Sequence, residues 1–240
     1  MMNSYPPVLI LAGGLGTRIA HAYPDIPKYL VPVNGEPFAL HQLRLLKKMG
    51  FNEIILCVGY KKELIKALLG NGEKLGLHIQ YSDDDDQLLG TGGAIKKAAQ
   101  LISSPFAVLY GDSYLDFDFE SVFQVFLDSK KPGLMTVYHN KNKLGNSNVA
   151  IKHNEIIAFD KKNQTADMEY IDYGFSLYSD TVFSCFKETS FDLSDITKKL
   201  IDVKNLAIYE INHRFYEAGT IASITDLEKH LQGMINEHGS

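Results

Sequence analysis

Residues 9–18 read LILAGGLGTR, a short apolar run that passes directly into three glycines, a threonine and an arginine. A continuous apolar run that ends in glycine is typical of a strand buried on both faces of a sheet. A glycine-rich turn after such a strand lets backbone N–H groups approach a ligand closely, and it commonly holds phosphate. The stretch therefore predicts a central strand followed by a phosphate-binding turn.

Strands and helices alternate after this turn. Residues 37–50, PFALHQLRLLKKMG, space their apolar side chains along one helical face and stop at Gly50, a natural C-terminal cap. Further strands are predicted at NEIILCVGY, HIQYSD and FAVLYGD, and further helices at KKELIKALLGNG and GGAIKKAAQLI. This alternation requires crossover connections, so we predict an α/β fold with a largely parallel sheet.

The later part of the chain has a different pattern. GLMTVYHN, NVAIKHN, EIIAFDK and YGFSLYS are short β-rich pieces separated by polar turns. They predict antiparallel strands that extend the sheet or form a flap over its open end. TDLEKHLQGMIN predicts a closing amphipathic helix. With 240 residues and no composition typical of a linker, the chain is expected to form one domain.

Composition narrows the possible partners. A formal net charge of −5 argues against general attraction to nucleic acid, which usually needs a clustered basic surface. No segment approaches the roughly 18 apolar residues of a membrane span, so no membrane partner is expected. Cys57 and Cys185 lie apart in apolar runs, which suits buried reduced thiols. We therefore expect a cytoplasmic protein, and the oligomeric state cannot be predicted.

The turn differs from two common phosphate-binding motifs. A dinucleotide-binding turn reads G-x-G-x-x-G and a P-loop ends G-K-[ST], whereas this turn reads GGLGTR. A nicotinamide-dependent oxidoreductase is therefore disfavoured. Residues 25–37, DIPKYLVPVNGEP, then present Lys28 within a segment stiffened by prolines. Arg18 supplies a planar fork of donors and Lys28 a compact charge, and both suit phosphate oxygens.

LAGGLGTR followed by PKYLVPVNGEP resembles the signature of the sugar-1-phosphate nucleotidyltransferases. Tyr29 stands where that family usually has proline. The resemblance implies a Rossmann-like three-layer α/β/α domain with a mostly parallel mixed sheet and a β-rich extension on the acceptor side. Residues up to about 115 would bind the nucleotide, and residues from about 116 to 240 the sugar phosphate. Catalytic roles fall to Arg18 and Lys28. The first nucleotide-binding residues are Leu11, Ala12, Gly13, Gly14, Gly16 and Thr17.

Two later motifs extend the resemblance on the nucleotide side. LLGTGGAIKKA is similar to the family's second glycine-rich segment, which packs on the nucleoside. Its glycines stand at a helix start, where amide groups can meet base edges or sugar oxygens. VLYGDSYLD places Asp112 directly after a strand, as in the family's metal-binding G-D element, whereas Asp116 is taken as surface. The residues predicted to bind nucleotide here are Gly90, Thr91, Gly92 and Gly93.

Three shorter segments resemble the family's acceptor side. AFDKK would place Asp160 against the sugar and Lys161 against its phosphate. YIDYGFSLYS contains Asp172, Tyr173 and the glycine expected beneath the sugar ring, Gly174. RFYEAGTIASITDL resembles an element whose acid is the second metal ligand, and that position is Glu217. The implied cofactor is Mg²⁺ on Asp112 and Glu217.

These parts imply one reaction, in which a sugar 1-phosphate attacks the α-phosphorus of a nucleoside triphosphate and pyrophosphate leaves. Residues 81–93, YSDDDDQLLGTGG, should line the base pocket. The combination of motifs looks most like guanylyltransferases of bacterial surface-sugar pathways, which favours GTP and a manno-configured acceptor such as heptose or mannose 1-phosphate. Two alternatives stay open, a cytidylyltransferase acting on a non-sugar phosphate such as phosphocholine and a nucleotide-binding regulator without catalysis.

Overall fold

The computed structural model describes residues 5–84, 89–141 and 143–238. The helices, α1 to α6 in chain order, are Phe38–Lys48, Lys62–Leu69, Gly90–Ala99, Phe119–Ser129, Leu193–Asp202 and Ile221–His238. The strands, β1 to β13 in chain order, are Val8–Leu11, Pro32–Val33, Glu36–Pro37, Glu53–Val58, His78–Asp83, Phe106–Tyr110, Ser113–Tyr114, Gly133–His139, Val149–Lys152, Glu155–Phe159, Tyr170–Tyr178, Leu206–Glu210 and Tyr216–Glu217. Within the described ranges, no helix combines the length and apolar character needed to cross a membrane.

One large sheet runs through the described part of the chain. Its strand order is β10-β9-β11-β6-β1-β4-β5, with β8 beside β11 and β12 beside β8. β1 runs parallel to both of its neighbours, β4 and β6, and β5 continues this parallel set. β11 then joins β6 in antiparallel orientation, and β8 and β9 pair antiparallel with β11. The predicted parallel core with an antiparallel, β-rich extension is confirmed.

Both faces of the sheet are covered by helices. On β1, Val8 and Ile10 belong to an apolar cluster that includes side chains of α1, α4 and α6. Leu9, which points to the other face, belongs to a second cluster with α3 and α5. All three side chains are fully buried, as the continuous apolar run predicts for a central strand. The predicted three-layer α/β/α arrangement is thus confirmed.

The register of the sheet brings the ends of distant segments together. Leu11, the last residue of β1, lies beside Cys57 of β4 and Tyr110 of β6. The turns that follow β1 and β6 therefore leave the sheet at the same edge, where open α/β sheets place ligands. β13 pairs antiparallel with β7, which places Glu217 opposite Ser113. This small ribbon carries the C-terminal part of the chain to that edge.

Several elements carry clear local sequence signals at their ends. α1 ends where predicted, with Gly50 at φ +99°. α4, α5 and β12 were not assigned from the sequence, although α4 has Asp118 as its N-cap and α5 begins with a capping box formed by Asp192 and Asp195. Cys57 is a buried thiol as predicted, whereas the side chain of Cys185 lies outside the described residues.

Candidate active site

Two cavities open at the edge of the sheet where β1 and β6 end. The first has a volume of about 330 Å³ and is lined by the turn after β1 and by the start of α3. The second has a volume of about 670 Å³ and is lined by residues of β11, β13 and α6 and by two loops flanking β9 and β10. Tyr110 and Asp112 line both cavities. A ligand in each cavity would therefore meet the other at Asp112.

Closely packed glycines form part of the wall of the first cavity. A Cβ atom at Gly13 would lie 3.0 Å from the amide nitrogen of Gly59, and one at Gly111 would lie 2.5 Å from the carbonyl oxygen of Leu11. Only glycine permits such close contact between the turns and the ends of the strands. The predicted residues that line this cavity are Leu11, Ala12, Gly13, Gly14, Lys28, Gly90, Thr91 and Asp112.

Lys28 is held close to the turn and directed at Asp112. Its Nζ donates to Oδ2 of Asp112, and its side chain is largely buried. Gly16 has φ +61°, and a Cβ atom there would lie 2.9 Å from the Cβ of Lys28. Gly16 therefore allows the turn to pack on this lysine, while Gly16 and Thr17 themselves line neither cavity. The glycine-rich turn and Lys28, which the sequence predicts to act together, are in direct contact in the structure.

Arg18 approaches the same oxygen of Asp112 as Lys28 does. Its Nη2 is 3.9 Å from Oδ2 of Asp112, its side chain is 61% exposed, and it lines the second cavity. The sequence predicts Arg18 beside the triphosphate turn, whereas the structure places it on the wall of the second cavity. An exposed guanidinium can move to meet an anion that enters from either side.

Asp112 and Glu217 direct carboxylate oxygens to one small region. A Cβ atom at Gly219 would lie 3.4 Å from Oε1 of Glu217 and 3.5 Å from Oδ2 of Asp112. Burial, followed by the nearby Asp112 charge, raises the pKa of Glu217. Nη2 of Arg18 lies 3.3 Å from the same Cβ position, so a cationic group already faces these two carboxylates. Two carboxylates near one point suit a hard divalent cation, whose other ligands can be phosphate oxygens and water.

Lys161 sits in a charge network on the wall of the second cavity, where its own side chain is 41% exposed and that of Asp172 is 5% exposed. Its Nζ is 2.9 Å from Oδ2 of Asp172 and donates to the Tyr110 hydroxyl at 2.9 Å. Burial opposes the charge on Lys161, but Asp172 and Tyr110 outweigh it, and the pKa of Lys161 is raised above its usual value. Lys161 is therefore a permanent cation in a fixed position.

Asp160 has a different environment from the one predicted. Its Oδ1 accepts hydrogen bonds from the backbone N–H groups of Lys162 at 2.8 Å and Asn163 at 3.0 Å, and it lines neither cavity. These backbone bonds hold the pKa of Asp160 at about 2. The predicted contact with the sugar is not supported, because this carboxylate caps its own loop. Asp160 shapes the segment that presents Lys161.

The three residues of β11 predicted to bind substrate all line the second cavity. Gly174 has φ +97°, and a Cβ atom there would lie 3.1 Å from the Ser113 hydroxyl. Asp172 accepts a hydrogen bond from the amide of Gly174 at 3.1 Å, which fixes this bend. The ring of Tyr173 is 1% exposed and packs edge-on against Phe215, so Tyr173 supports the cavity wall from within.

The second glycine-rich segment is divided between two roles. Gly90 and Thr91 line the first cavity, but the amides of Gly92 and Gly93 donate to the carbonyl oxygen of Phe191 at 2.9 and 3.3 Å. A Cβ atom at Gly92 would lie 2.4 Å from the Phe191 ring. The predicted exposure of these two amides is therefore wrong, because the loop before α5 packs on them. Residues 85–88 of the predicted base-pocket segment lie outside the described residues.

The structure adds residues that the sequence analysis missed. Tyr110 separates the cavities and carries Lys161 over its ring, with Nζ 4.5 Å from the ring centroid. On the wall of the second cavity, Oδ1 of Asn148 accepts a hydrogen bond from the backbone amide of Asp172 at 2.8 Å. On the same wall, Nη2 of Arg214 donates a hydrogen bond to Oδ2 of Asp226 at 2.5 Å. Tyr110 directly precedes the Gly-Asp pair, which was a usable signal. Asn148 and Arg214 do not belong to a recognisable sequence motif, so no sequence signal pointed to them.

Comparisons with known proteins point to one family. The sequence profile described as nucleotidyl transferase matches residues 7–233. A D-glycero-alpha-D-manno-heptose 1-phosphate guanylyltransferase of Campylobacter jejuni is 44% identical over 110 residues, which cover 46% of this chain and 49% of that protein. The chain thus spans about half the length of that relative. A protein of the same name from Aneurinibacillus thermoaerophilus is 29% identical over 82% of this chain and 86% of its own.

A solved structure shares the fold. HddC from Yersinia pseudotuberculosis superposes with a TM-score of 0.82 at 24% identity, over 95% of this chain and all of that chain. A second structure of HddC is complexed with GMP-PN and has a TM-score of 0.79. At this level of identity the likeness shows a common fold, with the same layered arrangement of helices and sheet.

Proposed function

The chain belongs to the nucleotidyl transferase family, and we propose that it condenses a nucleoside triphosphate with a sugar 1-phosphate. The products would be a nucleoside-diphosphate sugar and pyrophosphate. The observation that carries this proposal is the meeting of two cavities at Asp112, with Lys28 on one side and Arg18 and Lys161 on the other. Two anionic substrates that react with each other need this arrangement of a shared boundary and flanking cations.

The substrates are proposed from the relatives. Two relatives are heptose 1-phosphate guanylyltransferases, and one solved neighbour holds GMP-PN. GTP is therefore the proposed donor, and a manno-configured sugar 1-phosphate, a heptose or mannose derivative, is the proposed acceptor. The second cavity, with a volume of about 670 Å³, lies in the size range of small-molecule sites and is large enough for a sugar phosphate.

The proposed step is an in-line displacement at phosphorus. A phosphate oxygen of the sugar 1-phosphate forms a bond to the α-phosphorus, the bond from that phosphorus to the bridging oxygen of the β-phosphate breaks, and pyrophosphate leaves with the electron pair. No enzyme nucleophile is required. Lys28 would neutralise charge at the α-phosphate and Lys161 would align the acceptor phosphate. Arg18 lines the second cavity beside Asp112, and its exposed side chain would have to turn towards the first cavity to hold the pyrophosphate.

Backbone groups would hold the donor in the first cavity. The proposed binding residues there are Leu11, Ala12, Gly13, Gly14, Gly90 and Thr91, with Gly16 and Thr17 shaping the turn. In the second cavity Asp172, Tyr173 and Gly174 would contact or support the sugar. This division assigns residues up to about 115 to the donor and the following residues to the acceptor, within one catalytic domain.

Members of this family generally use a divalent metal ion. We propose Mg²⁺, held by Asp112 and Glu217, whose oxygens converge on the same region. When bound, it would neutralise phosphate charge together with Lys28 and Arg18, which line the first and the second cavity beside Asp112.

The test is a matrix of ATP, GTP, CTP, UTP and dTTP against a panel of sugar 1-phosphates and phosphocholine, with pyrophosphate release as the readout. Release with GTP and a manno-configured sugar 1-phosphate is the expected result. Release only with CTP and phosphocholine would replace the proposed acceptor with a non-sugar phosphate. Nucleotide binding by calorimetry without release from any pair would identify a regulator and overturn the enzymatic proposal.

A further inference from the structure

A buried glutamine lies behind the proposed metal ligand. Gln42 is on α1, its side chain is 1% exposed, and its neighbours in the helix belong to the main apolar cluster. Its Nε2 donates to the carbonyl oxygen of Tyr110 at 3.0 Å and to that of Ser113 at 2.6 Å. These two carbonyl groups flank Gly111 and Asp112. One side-chain amide thus ties together the two ends of the turn that carries the carboxylate.

The same turn is fastened at two further points. The amide of Gly111 donates to the carbonyl oxygen of Leu11 at 3.1 Å, and the amide of Ala218 donates to the carbonyl oxygen of Asp112 at 2.7 Å. The first bond connects the turn to β1 and the second connects it to the residue after Glu217. Together with the two bonds from Gln42, these bonds anchor the main chain of the turn from Tyr110 to Ser113. Because Ala218 follows Glu217 directly, its bond to Asp112 also limits the distance between the two carboxylates.

The chemistry of the contact requires a neutral amide. A glutamine nitrogen carries two N–H donors, which match the two carbonyl acceptors, whereas an ionised glutamate has no donor and a hydrocarbon side chain has none. Within the described residues the amide oxygen of Gln42 has no hydrogen-bond partner. A buried acceptor without a partner is costly, so the benefit at this position comes from the two donated bonds.

We propose that Gln42 is a positioning residue that holds Asp112 at the boundary of the two cavities. This inference rests on the proposed function, because it assigns Asp112 to the reacting phosphates and their metal. A displacement of about 1 Å in a group that aligns substrates can cost on the order of 100-fold in rate. Loss of the two bonds would free the turn to relax in this way while leaving both cavities lined by the same side chains.

The test compares Gln42→Met with Leu69→Ala. Methionine has nearly the same length but no donor, and Leu69 is a buried side chain at the end of α2 whose truncation lowers stability elsewhere. Turnover, both KM values, thermal unfolding and Mn²⁺ binding followed by EPR are measured for each. For Gln42→Met we expect kcat to fall by about 10- to 100-fold, both KM values to stay within about threefold, and Mn²⁺ to bind several-fold more weakly.

Leu69→Ala should lower the unfolding temperature without changing kcat or Mn²⁺ affinity. The inference is overturned if Gln42→Met changes only the unfolding temperature, as Leu69→Ala does. If Gln42→Met does not fold, Gln42→Asn takes its place, because the shorter side chain keeps an amide but cannot span both carbonyl groups. Absence of wild-type turnover would overturn the proposed reaction, and the Mn²⁺ comparison would still decide the role of Gln42.

Discussion

The two cavities are built in different ways. The first is lined by residues of the first half of the chain, chiefly the turn after β1, the start of α3 and the end of β6, and four of its lining residues are glycines. The second is lined by residues from loops, strands and a helix spread over more than 200 positions, and the ion pairs of Lys161 with Asp172 and of Arg214 with Asp226 lie on its wall. A wall built on short glycine-containing turns suits a part of the substrate that is common to many enzymes, whereas residues drawn from many segments suit an acceptor that varies.

The largest effect is expected where the two cavities meet. Asp112→Asn should lower kcat by about 1,000-fold, because a charge that both cavities share is lost, and such electrostatic effects are worth about 4 kcal/mol. The fold should be retained, since only charge changes. Steady-state kinetics and thermal unfolding check this. The matched control is Asp116→Asn, an exposed carboxylate that lines neither cavity. Activity of Asp112→Asn within a few-fold of wild type would remove Asp112 from the site.

Lys28 tests the first cavity. Lys28→Ala should lower kcat by roughly 30- to 1,000-fold, since one charged donor beside the α-phosphate is worth on the order of 2 to 4 kcal/mol. The KM for the sugar phosphate should change little. Lys62→Ala is the control, because Lys62 at the start of α2 pairs with Asp83 of β5, 3.7 Å away, and lines neither cavity. Equal losses in the two variants would show that Lys28 acts through general charge alone.

Lys161 tests the second cavity and gives the sharpest contrast. Lys161→Ala should raise the KM for the sugar phosphate by about 10- to 100-fold and change the nucleotide KM by less than about threefold. It also leaves Asp172, 5% exposed, without its cation, so the unfolding temperature should fall. Adding Asp172→Asn should restore part of the stability but not the KM.

Lys162→Ala, the exposed neighbouring position, is the control for the Lys161 variants. A raised nucleotide KM with a normal sugar-phosphate KM for Lys161→Ala would contradict the division of the two cavities between donor and acceptor.

Asp160 should give the smallest effect. Asp160→Ala removes the acceptor for two backbone amides and should raise the sugar-phosphate KM only a few-fold, whereas Asp160→Asn keeps an acceptor oxygen and should resemble wild type. Folding lowers the pKa of Asp160 from about 3.9 to about 2, so the stability it adds is present above pH 4 and is lost as the pH falls towards 2. Urea unfolding at pH 7, 4 and 3 should show the gap between wild type and Asp160→Ala narrowing. A gap that is constant with pH would mean that the carboxylate charge is not involved.

The first cavity could be predicted from the sequence more fully than the second. Gly13, Gly14 and Lys28 were found from a glycine-rich turn and a proline-stiffened loop, because both signals depend on local backbone conformation. The assignment of Asp160 to the sugar stays a prediction, and its carboxylate accepts a hydrogen bond from the backbone amide two residues later, because a carboxylate can cap its own loop as readily as it binds a ligand. Gln42 gave a weak signal as a polar residue on an apolar helical face, and only its two carbonyl contacts explain it.

The sequence by itself determined the α/β class, the buried central strand, the positions of most strands and helices, and the motifs of the family. These follow from periodicity and turn chemistry, which act over a few residues. The tertiary structure alone decided that Lys28 reaches Asp112 across 84 positions, that Arg18 faces the second cavity, and that Phe191 covers the amides of Gly92 and Gly93. Such contacts depend on strand order and on helix packing. These bring together residues that are far apart in the chain, so no local sequence pattern predicts the contact.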